Sequence, residues 1–268
     1  MASNPISNER FGRGTICSGI QIFRDRKNKT LALSQASYID KIVVKYSTQN
    51  SKRGLLPFRH GLTLFKEQCP MTPQDVEEMR HIPYASAVGS LMYAMLCTRP
   101  DICYAVGIVR YTDSDFQTDR DSRKSTSGSV FTLNGGAVVW RSIKQGCIAD
   151  STMEAEYVAA CEAAKEAVWL RKFLIDLEVV PNMSKPITFY CDNSGAVANS
   201  RDPRSHKRGK HIERKYNLIR EIVHRGDVIV TQIASTHNVA DPFTKPLTAK
   251  VFEGHLESLG LRDMPHLT

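Results

Sequence analysis

The chain has 268 residues, 36 Lys and Arg against 28 Asp and Glu, a formal charge of +8, and 41% hydrophobic residues. That composition suits one large or two modest domains with a real core, and it excludes a disordered or collagen-like polymer. No apolar run is long enough to span a bilayer, and the polar start Met1-Ala2-Ser3-Asn4-Pro5 lacks the apolar segment of a secretory signal. An intracellular protein, cytoplasmic or nuclear, with a polyanionic partner is the expectation.

Seven cysteines (Cys17, Cys69, Cys97, Cys103, Cys147, Cys161 and Cys191) are an odd number without a Cys-x-x-Cys pair. They read as reduced thiols rather than a disulfide framework or a zinc site.

In chain order, residues 1–17 are polar and read as a loose N-terminus. Gly19–Asp25 alternates Ile20 and Ile22 with polar neighbours, a strand pattern, and Thr30–Ser34 can return beside it after a turn at Asn28. Ser34 or Ser37 can cap a helix over Tyr38–Tyr46. Residues 47–72, with Gly54, Pro57, Gly61 and Pro70, read as a long connection. Thr72-Pro73-Gln74-Asp75 is a helix start: a capping Thr, Pro at the first helical position and an acid in the first turn. Pro83–Met95 and Ile102–Val109 are the apolar parts of this half and read as core.

The second half carries four acids in suggestive places. Asp113 follows Tyr111-Thr112 in a strand-like segment. Ser151 and Thr152 can cap a long helix, Met153–Glu178, with Tyr157, Cys161, Ala164, Val168 and Ile175 as its stripe and Glu156 beside it. Ile187–Cys191 reads as a buried strand ending at Asp192. Val228–Ile233 reads as another, followed by a loop holding Asp241. Ser129–Leu133 and Ala137–Trp140 bracket Asn134-Gly135-Gly136, a hairpin signal. Acids gathered at strand and helix ends suit a hard cation such as Mg²⁺, which takes oxygen ligands and keeps several waters. Each also has an ordinary reading: Asp113 capping a turn, Glu156 as a first-turn helix acid like Glu154, Asp192 opening an Asx turn with Asn193, Asp241 as a loop residue. Trp140 and Trp169 read as core.

Two blocks carry a resemblance. Leu33-Ser34-Gln35 with Tyr38-Ile39, then Pro83–Tyr93, then Thr98-Arg99-Pro100-Asp101-Ile102, resemble the segment that follows the polymerase palm in copia-type retrotransposon Pol polyproteins. Residues 111–245 resemble the ribonuclease H domain of the same family. The matching text is Tyr111–Asp115, Asp119–Gly128, Gly135–Trp140, Glu154-Ala155-Glu156-Tyr157, Cys191-Asp192-Asn193, His211-Ile212 and Ala240–Lys245.

The resemblance implies an α/β fold. A ribonuclease H-like mixed sheet flanked by helices (111–245) is preceded by a truncated, partly helical remnant of the reverse transcriptase thumb and connection (18–110) and followed by a tail (246–268). It implies that Asp113, Glu156, Asp192 and Asp241 hold two Mg²⁺ ions, with Mn²⁺ able to substitute, and cleave the RNA strand of an RNA–DNA hybrid. It also implies that Glu156 orients the 2′-hydroxyl that marks RNA. His237 does not match the spacing of the proton-shuttling His of related enzymes. The polymerase's Tyr-x-Asp-Asp turn is absent, which removes DNA synthesis. Arg110 runs directly into Tyr111, where the family has a further few tens of residues, so an internal deletion is expected there.

Arg201–Arg225 holds nine Lys and Arg against three acids, +6 of the chain's +8. Lys207, Arg208, Lys210, Arg214 and Lys215, with Arg123 and Ser125, are candidate contacts to nucleic acid. The same basic run also reads as a nuclear-import signal or as a solvated helix face. Two functions follow: an active hybrid-cleaving nuclease, or an inactive Pol relic that binds nucleic acid or a host protein. The label of secreted effectors of the RxLR class, which short copia-like relics can carry, finds no Arg-x-Leu-Arg motif here.

Overall fold

The computed structural model describes residues 15–52, 54–59, 61–62, 68–110, 123–178, 180, 183, 185–201 and 213–262. Among them the chain is a mixed α/β protein of small sheets and eight α-helices.

The first half opens on a three-stranded antiparallel sheet of β1 (Thr15–Cys17), β2 (Ile20–Asp25) and β3 (Thr30–Ser34). Strand β1 corrects the expectation of a loose start up to residue 17: Thr15 pairs with Ile22 and Cys17 with Ile20. The β2–β3 turn is organised by Asp25, whose carboxylate accepts from the Lys27 and Asn28 amides and the Asn28 side chain. Helix α1 (Ala36–Lys45) starts after Gln35 without a side-chain cap on its free amides, although Ser34 Oγ accepts from Ala36 N at 3.2 Å. Helix α2 (Pro73–Arg80) has the expected start, a reciprocal capping box between Thr72 and Asp75.

Helix α3 (Tyr84–Cys97) was read as core, yet Ala94 is its one buried residue and Leu91 and Leu96 face solvent. A 3-10 turn, Pro100–Ile102, then leads into α4 (Cys103–Arg110). Asp101 is buried there, and its carboxylate accepts two bonds from the Arg99 guanidinium at 2.8 and 2.7 Å.

The second half begins with a hairpin, β4 (Thr126–Leu133) and β5 (Gly136–Lys144). Its turn is Asn134-Gly135, both at positive φ, the two-residue geometry that matches the twist of paired strands. Helix α5 (Thr152–Asp176) follows, then β6 (Ile187–Cys191), α6 (Ser194–Arg201), α7 (Glu213–His224) and β7 (Val228–Gln232). Strands β6 and β7 are parallel, Ile187 opposite Val228 and Cys191 opposite Gln232, so both end on the same side. Two parallel neighbours need a crossover, and α6 and α7 supply it. Helix α8 (Ala249–Ser258) is the last described helix, with Phe252 and His255 buried.

The core lies where α5 meets β6, β7, α6 and α7. Tyr157, Ala160, Cys161, Ala164 and Ala167 form the buried face of α5 and pack with Val228, Val230, Ile219 and Ile222. Two residues depart from expectation: Ile175 and Trp169 are exposed, and Trp169 stacks on Phe173 with centroids 5.2 Å apart. Trp140, also read as core, is half-buried, and its indole N–H donates to Met95 O at 3.0 Å. The strand expected over Tyr111–Asp115, Asp113 included, lies outside the described residues. So do Lys207, Arg208 and Lys210, while Arg214 and Lys215 are placed by their backbone in α7.

Candidate metal centre

Three of the four acids lie among the described residues. Helix α5 begins at Ser151, whose hydroxyl accepts from Glu154 N at 3.2 Å; Glu154 in turn accepts from Asp150 N at 2.6 Å and is buried. Glu154 is therefore the acid of the helix start, and Glu156, two residues on, is left for other work. On β6 a similar division holds. Asn193 Oδ1 accepts from Ala196 N at 3.0 Å and closes the first turn of α6, which releases Asp192 at the strand end.

Gly195 explains why these two acids converge. A Cβ there would lie 2.8 Å from Met153 Cγ, so the start of α6 rests directly on the start of α5. Ligand atoms of Glu156, Asp192 and Cys191 all fall within 4.8 Å of one another. The carboxyl ends of parallel strands are a recurrent seat for ligands, and β6 and β7 both end here.

Asp241 comes from the segment after β7. Its amide donates to Asn238 O at 3.1 Å, Asn238 Oδ1 accepts from Ala240 N, and Asp241-Pro242-Phe243 forms a 3-10 turn. Phe243 is fully buried and anchors the turn. Gly128 on β4 lets it approach: a Cβ on Gly128 would lie 2.6 Å from Thr244 Cγ2 and 2.8 Å from Phe243 Cβ.

The electrostatics tie the three acids together. Burial raises the Glu156 carboxyl above its ordinary range, and the carboxylates of Asp192 and Asp241 push it the same way, while the Lys245 ammonium opposes them. Glu156 as a residue stays exposed. A carboxyl raised by neighbouring carboxylates in this way marks a site that favours a cation. Cys191 is different. Burial lifts its thiol to about 11, and it donates weakly to Asn193 O at 3.8 Å, so it remains a protonated wall rather than a ligand for a hard ion.

Glu156 and Asp192 could thus hold a hard cation with a complement of waters, and Asp241 lies near enough to act on the Glu156 carboxyl. Asp113 lies outside the described residues.

Three further side chains adjoin the cluster. Lys245 Nζ pairs with Asp241 Oδ2 at 2.8 Å. His255 of α8 is buried, and burial lowers its pKa, which keeps it neutral; it feels the charges of Asp241 and Lys245. His237 is exposed and lines with Glu156 and Asp241 a cavity of about 920 Å³ between β4 and β6. Ser125 also lines that cavity, buried, its hydroxyl without a hydrogen-bond partner among the described residues; Arg123 is exposed at positive φ.

No family model and no solved structure matches the chain. Curated relatives do. The chain is 37% identical over 283 aligned positions, 91% of its length, to the retrovirus-related Pol polyprotein from transposon TNT 1-94 of Nicotiana tabacum, of which it covers 21%. It is 30% identical over 68% of its length to that from transposon RE1 of Arabidopsis thaliana, covering 15%. A shorter stretch, 34% of the chain, is 39% identical to secreted RxLR effector protein 161 of Plasmopara viticola and covers 94% of that protein.

The tobacco alignment is longer than the chain segment it covers: 91% of 268 residues is about 244, or 39 fewer than 283. The effector alignment shows the same shortfall, 34% of 268 being about 91 against 133 positions. These relatives carry about forty residues without a counterpart here, the size of the deletion expected before Tyr111. The chain's homologues are retrovirus-related Pol polyproteins of plant copia-type transposons, and it spans about a fifth or less of their length.

Proposed function

We propose that this chain is a ribonuclease H-type endonuclease that hydrolyses the RNA strand of RNA–DNA hybrids, without polymerase activity. The observation that carries the reading is the convergence of Glu156 and Asp192 at the shared end of β6 and β7, with Asp241 brought in by the turn on Gly128. The Pol homologues supply the nucleic-acid context.

Asp113, Glu156, Asp192 and Asp241 would hold two Mg²⁺ ions. Bound there, the pair supplies an activated water and charge stabilisation for the leaving oxygen. The chain's own residues do the rest. Glu156, at the mouth of the cluster, is free to accept from a 2′-hydroxyl because Glu154 has taken the helix-start bond. Asp192 and Asp241 hold negative charge at fixed places, since Asn193 and Asn238 make the local turns. The basic stretch 201–225, with Arg123, would take the phosphate backbones.

A second reading is a shortened Pol relic used for binding, as a nucleic-acid or host-interaction protein. Its support is the forty-residue shortfall and the 94% coverage of a protein named as a secreted effector. One experiment separates the two. Purified protein is incubated with a hybrid labelled on its RNA strand, in Mg²⁺, Mn²⁺ or EDTA, beside Asp192→Asn. Metal-dependent cutting lost in the variant supports the nuclease. A folded, monodisperse protein that binds the hybrid and leaves it intact in every metal supports the relic.

A further inference from the structure

Lys245 lies four residues past Asp241, and the 3-10 turn between them aims its side chain back. Its ammonium sits 2.8 Å from Asp241 Oδ2, and it lines the same cavity as Glu156 and Asp241. The Asp241 side chain is 13% exposed and that of Lys245 51%, so the acid is fixed in the wall while the base reaches in from solvent. The backbone holds this arrangement: Lys245 N donates to Asp241 O at 3.2 Å, as does Thr244 Oγ1. A carboxylate cluster thus has a built-in positive charge on a flexible, strongly hydrated stem.

We propose that Lys245 is a tethered counter-cation of the acid cluster, which neutralises Asp241 while no divalent ion is bound and is displaced when one arrives. The inference rests on the metal site proposed above, though not on hydrolysis of RNA. An ammonium and a divalent ion compete for the same carboxylate oxygens. Lys245 would therefore stabilise the metal-free fold at the expense of metal affinity. Once displaced, it remains within a side chain's length of the cluster, where an anionic phosphate would be its next partner.

The test is Mn²⁺ binding to the full chain at low ionic strength, with free Mn²⁺ counted by electron paramagnetic resonance. Wild type is compared with Lys245→Gln, Lys245→Met and Lys245→Arg. The two neutral variants are expected to bind Mn²⁺ about three- to ten-fold more tightly, the size of one lost like-charge contact near a surface. Lys245→Arg, which keeps the charge, is expected to stay close to wild type. Thermal melts give a second readout: the neutral variants melt lower than wild type in EDTA and gain more from added Mn²⁺. Equal or weaker Mn²⁺ binding by folded Lys245→Gln and Lys245→Met overturns the inference. Absence of Mn²⁺ binding in every protein overturns it together with the metal site. Tighter binding in the neutral variants, with no cutting of the hybrid by any of them, leaves it standing and removes only the nuclease reading.

Discussion

Glu156 is an acid held among acids, and its protonation is linked to folding. Burial first, then Asp192 and Asp241, raise its pKa above the ordinary 4.5. In the window between 4.5 and the raised value the folded chain binds more protons than the unfolded one, so stability falls as pH rises through that window and is level above it. Glu156→Gln removes the ionisation. In EDTA the variant is expected to melt with wild type near pH 4 and about 1–2 °C above it at pH 7.5. With Mg²⁺ the order reverses at pH 7.5, because wild type alone gains the full metal linkage. Differential scanning calorimetry at the two pH values decides it; a wild type that melts above the variant in EDTA at pH 7.5 removes the acid cluster as a source of strain. At this scale the places of Glu156 and Asp192 were legible, because a helix start and a strand end mark themselves by local pattern. Cys191, Lys245 and His255 were not. Cys191 reads as any buried thiol, Lys245 reaches Asp241 through a 3-10 turn that no periodicity announces, and His255 feels the Asp241 charge only because α8 docks beside it.

Elements meet here through glycines. Gly128 in the middle of β4 receives the Asp241 turn, and Gly260, at φ +78°, lies against Gly135 and Gly136 of the hairpin turn. Ala137 N donates to Leu259 O at 2.9 Å, so the chain after α8 is stitched to β5. Gly128→Ala would put a methyl group 2.6 Å from Thr244 Cγ2, 2.8 Å from Phe243 Cβ and 3.0 Å from Ala240 O. Backbone and a fully buried ring cannot both yield, so the turn must lift from the strand. A loss of about 1–3 kcal/mol in denaturant unfolding is expected, with weaker Mn²⁺ binding as Asp241 moves off. Unchanged stability would mean that the turn has another resting place. The strands, the capped helix α5 and the Asn-Gly hairpin turn followed from pattern and turn chemistry. The exposure of Ile175, Trp169 and, on α3, Leu91 and Leu96 did not, because apolar type alone cannot tell which face another element will cover.

Across the whole molecule the two resemblance blocks are not independent bodies. Gly107 of α4 lies close to Ser142 of β5, Cys103 is buried with Phe243 and Leu259, and Trp140 is tied to Met95. The boundary read at residue 110 follows the family text, and packing crosses it: Cys103, before the boundary, buries the anchor of the Asp241 turn. Charge is also distributed unevenly at this scale. Of the nine Lys and Arg in 201–225, the three whose side chains are among the described residues serve the fold. Arg201 donates to Val230 O, Arg220 to Asn199 O at 3.1 Å, and Arg225 pairs with Asp227 at 3.0 Å and Glu221 at 3.3 Å. The other six, Arg204, Lys207, Arg208, Lys210, Arg214 and Lys215, have side chains outside the described residues, and the sequence makes their basic run the stretch to test on a nucleic acid. Each cation that neutralises a phosphate releases condensed counterions, so the logarithm of affinity falls with the logarithm of salt by about 0.9 per contact on a duplex. Lys207→Gln, Arg208→Gln and Lys210→Gln together are expected to flatten that slope by about 2–3 for an RNA–DNA hybrid in EDTA. Arg225→Gln is expected to leave the slope unchanged and to lower the melting temperature slightly, since its partners lie on the fold's own surface. Fluorescence anisotropy between low and moderate salt reads both. Equal slopes for the triple variant and wild type would assign the basic stretch to a solvated face, and the nucleic-acid surface would have to be sought around Arg123 and the cavity mouth instead.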